Sequence, residues 1–525
     1  MPPADRPFPG FTVGRLATLL GALAGLAVLA TLGAPGITID EPLDVRPGRS
    51  YVSTLRARGL GFFEPATIDR VFADNAEHPP MGRWLLGLAS TLGEPFEFAL
   101  GGPDPFRVHA GRVAPALAFA LLVALVAREA GRKHGRVGAG AAGFALVAMP
   151  RCFAHAHLAA LDTFIALFWV LALIRAGRAI DGPRPVAAMA LAGAFWSLAL
   201  LTKIHAWFLP PIVLAWAFGR LRPSRALAAF AAWLAVGLLG FVAGWPWLWA
   251  DPIGRLAAYL GTGVERVSLR VEYLGRIYAD VDVPWHYPWL YFAATVPIGL
   301  HICGLLGASR AWRDRRADPL ALALVGSIVL FLALFSTRVP VYDGERLFLV
   351  AFPLWAIAIG AGFARLWARA GRLARGGLVA LLAAQGFGLA TTHPFGLSYY
   401  NFAVGGLPGA ERLGLEPTYW GDAVDPVLLA RLAELTGPGE SAALAPTLHH
   451  LQATAALTPA LLAKGVRLLD ESEVGRADWV VVSRRRAYWR PEVRDLISKS
   501  KPEAVRSRSG VWLSAIYRGR SRRSP

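Results

Sequence analysis

Eleven apolar runs separated by short charged loops constrain this chain of 525 residues more than any other feature. The first, Leu16 to Ala34, carries no charge. It has about the length that crosses roughly 30 Å of hydrocarbon and exceeds the apolar core of a cleaved signal peptide, so it reads as a signal anchor. Six more follow from Val113 to Ala127, Val137 to Pro150, Leu158 to Ile174, Val186 to Thr202, Ile204 to Gly219 and Ala226 to Trp249. The last four run from Tyr287 to Ala308, Pro319 to Thr337, Leu347 to Ala364 and Gly376 to Thr392. With 55% hydrophobic and only 17% charged residues, and a mean hydropathy of +0.44, the composition excludes an ordinary soluble enzyme. The expected fold class is mainly α, a polytopic membrane protein with about 11 transmembrane helices.

Charge in the short loops orients these runs. With the N-terminus inside, the loops at 128, 175, 219, 309 and 365 are cytoplasmic, and together they hold eighteen Lys and Arg. The short loops on the other side hold Arg151, Lys203, Arg338 and Arg346. That alternation follows the positive-inside rule, and it accounts for much of the pI of 10.6 without nucleic acid. Residues 1–392 form the membrane domain, with an outer loop at 35–106 that carries interfacial helices. Residues 393–525 follow as a small C-terminal α/β extracytoplasmic domain, because "DPVLLARLAELTG" has helical spacing while "ADWVVVSRR" and "GVWLSAIYRG" read as strands. The setting is a cell inner membrane, crossed many times. The two cysteines, Cys152 and Cys303, lie in or beside apolar runs and suggest neither a disulfide framework nor a thiolate metal site.

Several ionisable residues then gather on the outer side. Asp40 and Glu41 stand at the mouth of the first span, where a carboxylate borders low-dielectric surroundings yet meets water, a setting that suits a general base. Solvated loop acids, or a helix start before Pro42, are the plain alternative. "EHPPMGRWLLGLASTLG", residues 77–93, starts a short helix after Pro79 and Pro80 with Met81, Trp84, Leu85 and Leu88 on one face, as on a membrane surface. Asp162 lies inside the outer end of a span, where an ionisable group is costly and points to function. Lys203 in "LALLTKIHAWFLPP" and Arg346 in "YDGERLFLVAFPLWAIA" stand at outer junctions; snorkelling for Lys203, and pairing with Glu345 or Asp343 for Arg346, are the ordinary alternatives.

The ordered set, an acidic pair after the first span, "HPP" before an interfacial helix, an Asp early in the fourth span, "LLTK", and an Arg before "LFLVAFPL", resembles the GT-C superfamily of lipid-dependent glycosyltransferases. Within it the likeness is to glycosyltransferase family 39, the group of protein O-mannosyltransferases and the lipid A aminoarabinose transferase, in its bacterial branch, over roughly residues 12 to 365. The resemblance implies an inverting transfer of a sugar from a polyprenyl-phosphate carrier to a hydroxyl acceptor on protein, lipid or glycan. It makes Asp40 the catalytic base, Glu41 its polar neighbour and Asp162 the second acid. Lys203 and Arg346 would hold the donor phosphate, and Glu77 and His78 would border the substrate. Glu77 beside His78 resembles a position used for metal in some relatives, which keeps a divalent cation open, although His155 and His157 have no standard ligand spacing. No other cofactor is implied. A flippase or transporter of a lipid-linked sugar is the competing function, yet it calls for charges at both repeats near the midplane and no inverted repeat is evident. A scaffold would leave Asp162 unexplained.

Overall fold

In a computed structural model, the described residues are 12–73, 78–262, 267–314 and 319–519. All eleven runs are built mainly of helix. The first is α1 (Val13–Leu29). After it the chain does not loop freely: α2 (Asp40–Arg58) starts at the acidic pair, with Asp40 and Glu41 in its first turn, where carboxylates complement the helix dipole. Next come α3 (Pro65–Phe72) and α4 (Met81–Gly93). Glycine lets α2 and α4 cross in close contact, since a Cβ on Gly48 would lie 2.1 Å from the Arg83 carbonyl oxygen and one on Gly87 2.1 Å from Gly48. On α4, Gly82, Arg83 and Leu86 face inward while Leu88 and Leu92 stay exposed.

The runs at 113 and 137 join in one helical stretch, α5 (Val113–Val147), broken at Gly135 by a backbone of φ 62°, ψ −162°. The expected cytoplasmic loop between them is thus helical up to a glycine reversal. The halves double back on each other: a Cβ on Gly131 would sit 2.9 Å from Ala139 Cβ, and one on Gly143 3.3 Å from Ala127 Cβ. Then follow α6 (Asp162–Ile180), α7 (Pro185–Leu200), α8 (Leu209–Arg220) and α9 (Pro223–Gly244).

One expected span departs from a straight helix. Tyr287 to Ala308 is split into α10 (Tyr287–Thr295) and α11 (Ile298–Arg313), bent by 113°. Pro297 stands at the break, where it has no N–H for the helical ladder. Next come α12 (Pro319–Leu334), α13 (Ala351–Arg369) and α14 (Arg372–Ala384). By length and composition, five helices among the described residues suffice to cross a membrane, or six with the bent pair. The helices Val13–Leu29, Pro185–Leu200 and Ala321–Leu334 are apolar but shorter.

A hairpin of β1 (Arg270–Tyr273) and β2 (Arg276–Ala279) interrupts the helices. The C-terminal region carries a five-stranded sheet in the order β4-β3-β5-β7-β6, from β3 (Ser441–Ala445), β4 (Arg467–Leu469), β5 (Trp479–Ser483), β6 (Ala504–Arg508) and β7 (Val511–Arg518). Strands β3, β4 and β5 run parallel, whereas β7 is antiparallel to both β5 and β6. Separate apolar clusters cover the two faces of this sheet. The unit seats on the helical body where α1 hands over to α2: Gly36 N donates to Asp422 O (2.8 Å), Ile39 N to Trp420 O (3.3 Å), and Gln452 Nε2 to Ile37 O (3.1 Å). Arg486 reaches Glu272 of the hairpin at 2.9 Å.

Candidate functional site

The junction between helical body and C-terminal unit forms an open cleft whose wall includes Asp40, Asp44, His78, Asp343, Arg346 and Trp420. Its centre is the Arg346 guanidinium, delivered by the short turn ahead of α13. Arg346 binds Asp40 through Nη2, Asp343 Oδ2 through Nη1 at 3.0 Å, and Asp162 Oδ2 through Nε at 3.4 Å. The Trp420 ring lies over it, 4.4 Å from centroid to Cζ, a cation–π contact that fixes the plane of the fork. Asp162, at the first position of α6, accepts at its other oxygen from Lys203 Nζ at 2.7 Å.

Four of the sequence-derived residues, Asp40, Asp162, Lys203 and Arg346, therefore form one charge network. They do not stand equally toward the cleft. Asp40 and Arg346 line it, while Asp162 and Lys203 are almost fully buried behind Arg346. Lys203 does not snorkel; it is committed to Asp162. His78 lines the cleft from the residues ahead of α4, and burial with the nearby Arg83, Lys203 and Arg346 cations holds its imidazole well below the usual value, so the ring is neutral. Burial pushes the Asp40 carboxyl above its ordinary value; Arg346 opposes the shift and Asp162 adds to it. Asp44, one turn further along α2, is pushed up to about 6 by burial against the pull of Arg83, whose Nε lies 3.0 Å away.

Glu41 is not brought to the cleft. Its carboxylate is fully buried and receives Arg112 Nε (2.7 Å) and Nη2 (2.8 Å), Ala159 N (2.7 Å), and Thr38 N (2.7 Å) and Oγ1 (3.1 Å). Such a carboxylate is saturated with donors and fixes the chain between α1 and α2. The reading of Glu41 as a polar neighbour in the reaction centre therefore gives way to a positioning one. Glu77 lies outside the described residues. Among the described residues no group of three or more His, Cys, Asp or Glu converges, and the charges bearing most strongly on His78 are cationic.

Sequence reasoning missed Asp44, Trp420 and Arg485 altogether, and took Asp343 only as an ordinary ion-pair partner. Arg485 Nη2 donates to Asp343 Oδ1 at 2.7 Å. A signal did exist in the consecutive arginines 484 to 486, charged residues directly after a buried strand, but nothing local says which acid each one finds. Arg484 pairs with Glu411, Arg485 with Asp343 and Arg486 with Glu272.

A polytopic helical body whose inter-helix segments gather acids and cations at one end is capped there by a small α/β unit, a fold this chain shares with solved membrane proteins. Residues 77–249 match the family model of dolichyl-phosphate-mannose-protein mannosyltransferase. Among solved structures, the chain is similar to ArnT from Cupriavidus metallidurans, both in the apo state and bound to undecaprenyl phosphate. In each case identity is 16%, TM-score 0.55, and the match covers 95% of this chain and 97% of that one. An oligosaccharyltransferase from Archaeoglobus fulgidus matches more remotely, at 13% identity and TM-score 0.43, over 90% of this chain and 68% of that one. No curated protein matches the chain.

Proposed function

We propose that this chain is an inverting glycosyltransferase that moves a sugar from a polyprenyl phosphate to a hydroxyl acceptor, at the outer face of the membrane it crosses. The observation that carries this reading is the Arg346 fork, shared among three carboxylates at the wall of a cleft. The partial match to the mannosyltransferase model and the binding of undecaprenyl phosphate by the ArnT of like fold support the donor class.

The acceptor oxygen attacks the anomeric carbon from the side opposite the phosphate. The bond from that carbon to the phosphate oxygen breaks, and its electron pair leaves on the polyprenyl phosphate. The acceptor proton passes to Asp40. A carboxylate raised by burial is a better base than a solvated one, and such proton transfer contributes about 10² to 10⁴ in rate. Arg346 stabilises the charge that grows on the phosphate. As phosphate enters, it competes with Asp40 for the same fork, so donor binding itself releases the base. Lys203 neutralises Asp162 and so leaves Arg346 available, which gives the buried cation a role without requiring it to reach the ligand. Charges gathered at one end of the bundle favour transfer chemistry over transport through the midplane.

The deciding experiment offers purified protein a panel of radiolabelled polyprenyl-phosphate sugars and the matching nucleotide sugars. Turnover is expected only with a lipid carrier. Turnover of a nucleotide sugar without lipid overturns the reading.

A further inference from the structure

Arg346 can present its fork to a ligand only if its flanks are held still, and two of those flanks trace to one side chain outside the helical body. Arg485 follows β5, the central strand of the C-terminal sheet, and is 3% exposed. Its Nη2 holds Asp343 Oδ1 at 2.7 Å, while Asp343 Oδ2 takes Arg346 Nη1 at 3.0 Å. Its Nη1 donates to the carbonyl of Tyr419, the residue before the Trp420 ring that lies over Arg346. Asp343 stands in a left-handed turn, φ 56°, followed by Gly344, φ 64°, whose N–H donates to Tyr287 Oη at 3.0 Å. The turn is thus pinned from the bundle and its carboxylate from the sheet.

We propose that Arg485 is a positioning residue of the reaction centre, through which the docked C-terminal unit orients Arg346 toward the donor phosphate. The inference rests on the glycosyl-transfer reading above. Arg485 borders the cleft, but both its Nη groups are committed, to Asp343 and to the Tyr419 carbonyl, so it acts through Arg346. Without its cation, Asp343 has Arg346 as its remaining partner in this network and draws the fork away from the cleft, and the Trp420 backbone loses a support. A planar, bidentate donor is needed, because one guanidinium here reaches two acceptors of different kind.

The test uses the full chain in lipid nanodiscs, with undecaprenyl phosphate as the binding probe and kcat/KM followed against pH. Arg485→Met is expected to weaken probe binding and raise donor KM, each on the order of tenfold, as for coupled neighbours in one ion-pair network. It should also move the acidic limb of kcat/KM to higher pH. Asp40 is faced by Arg346, Lys203 and His449 as cationic or protonatable groups and by Asp44, Asp162 and Asp343 as acids. Retreat of Arg346 and a less compensated Asp343 both favour the protonated base. Arg485→Lys keeps the charge and is expected to restore part of the limb and of the KM.

Arg506→Met removes another arginine of the same unit, on edge strand β6, separated from β5 by β7 and paired with Asp425 at 2.6 Å. It should lower thermal stability while leaving KM and the limb in place. An Arg485→Met protein with wild-type probe binding and an unmoved limb overturns the assignment while the function stands. An unaltered chain that neither binds the probe nor transfers any sugar overturns both. Where Arg485→Met yields no folded protein, Arg485→Lys decides: a limb at the wild-type position overturns the assignment, and a partial displacement supports it.

Discussion

Two adjacent carboxylates at the start of α2 have opposite fates. Asp40 keeps 22% of its side chain exposed and shares one guanidinium with Asp162 and Asp343, whereas Glu41 is wholly buried and owns its guanidinium. Around Glu41 every strong donor is spent: Arg112 gives its other N–H groups to the carbonyls of Leu32, Pro35 and Gly36 at 2.8 to 3.0 Å. Around Asp40 the cations are shared: Arg346 touches all three acids, while Lys203 also holds Asp162 and Arg485 also holds Asp343, so the arriving charge of a ligand can redistribute contacts without leaving a bare ion. A saturated pair locks the chain, and a shared network can do chemistry. Sequence spacing cannot separate the two, because neighbouring residues on a helix point about 100° apart.

The sharpest way to break the comparison is Asp40→Asn. The amide preserves shape and removes basicity, so transfer should fall by at least about 100-fold, while the unfolding temperature stays near that of the unaltered chain. Transfer at the normal rate would remove Asp40 from the chemistry. Glu41→Gln should do the reverse. With its partner gone, Arg112 is a buried, uncompensated charge, and breaking such a pair costs about 3–5 kcal/mol. Folded yield and melting temperature are expected to drop, while whatever folds keeps a donor KM close to the original. A Glu41→Gln protein of full stability and no activity would place Glu41 in the reaction after all.

Much of this was legible before any coordinates. Asp162, Lys203 and Arg346 each interrupt or abut an apolar run, and the cost of placing charge there is a signal that sequence alone transmits. The helical runs, the strands at 479 and 511 and the helix after Asp425 follow from periodicity. What could not be read are the partners. Arg112 lies 71 positions from Glu41, and Arg485 lies 142 from Asp343. Such contacts are set by how the C-terminal sheet seats on the bundle, and no local pattern encodes that. The reversal at Gly135 and the bend at Pro297 were also invisible, because hydropathy averages over a window and registers neither a glycine with positive φ nor the direction a helix takes after a break.

Lys203→Met tests the middle ground between the two acids. Lys203 is almost as buried as Arg112 but belongs to the shared network, through Asp162 at 2.7 Å. Its removal leaves Asp162 to Arg346, which then binds its own acids more tightly and a phosphate less well. Donor KM should rise by roughly tenfold, with kcat falling less. A loss confined to stability, with KM unchanged, would put Lys203 on the Glu41 side of the comparison.

The smallest effect concerns a third kind of buried acid, one with too few partners. Glu416 is 2% exposed at the seam between bundle and C-terminal unit, and burial pushes its carboxyl up to about 8, with Arg485 opposing and Asp343 and Glu272 adding to the rise. In the unfolded chain it titrates near 4.5. Between those values the folded chain holds a proton that the unfolded chain has released. The group's contribution is therefore complete at low pH and is lost as pH rises through about 8. Asp44 and Asp422 are raised to about 6, so their parallel losses are nearly complete by about pH 7, and the comparison with Glu416→Gln assigns what Glu416 contributes from about pH 7 to 9. Melting temperature should decline by a few degrees across that window, and Glu416→Gln, which keeps the neutral shape, should flatten the decline. Identical slopes in the two proteins would mean that Glu416 is ionised in the folded state. The seam would then hold this acid as firmly as Arg112 holds Glu41.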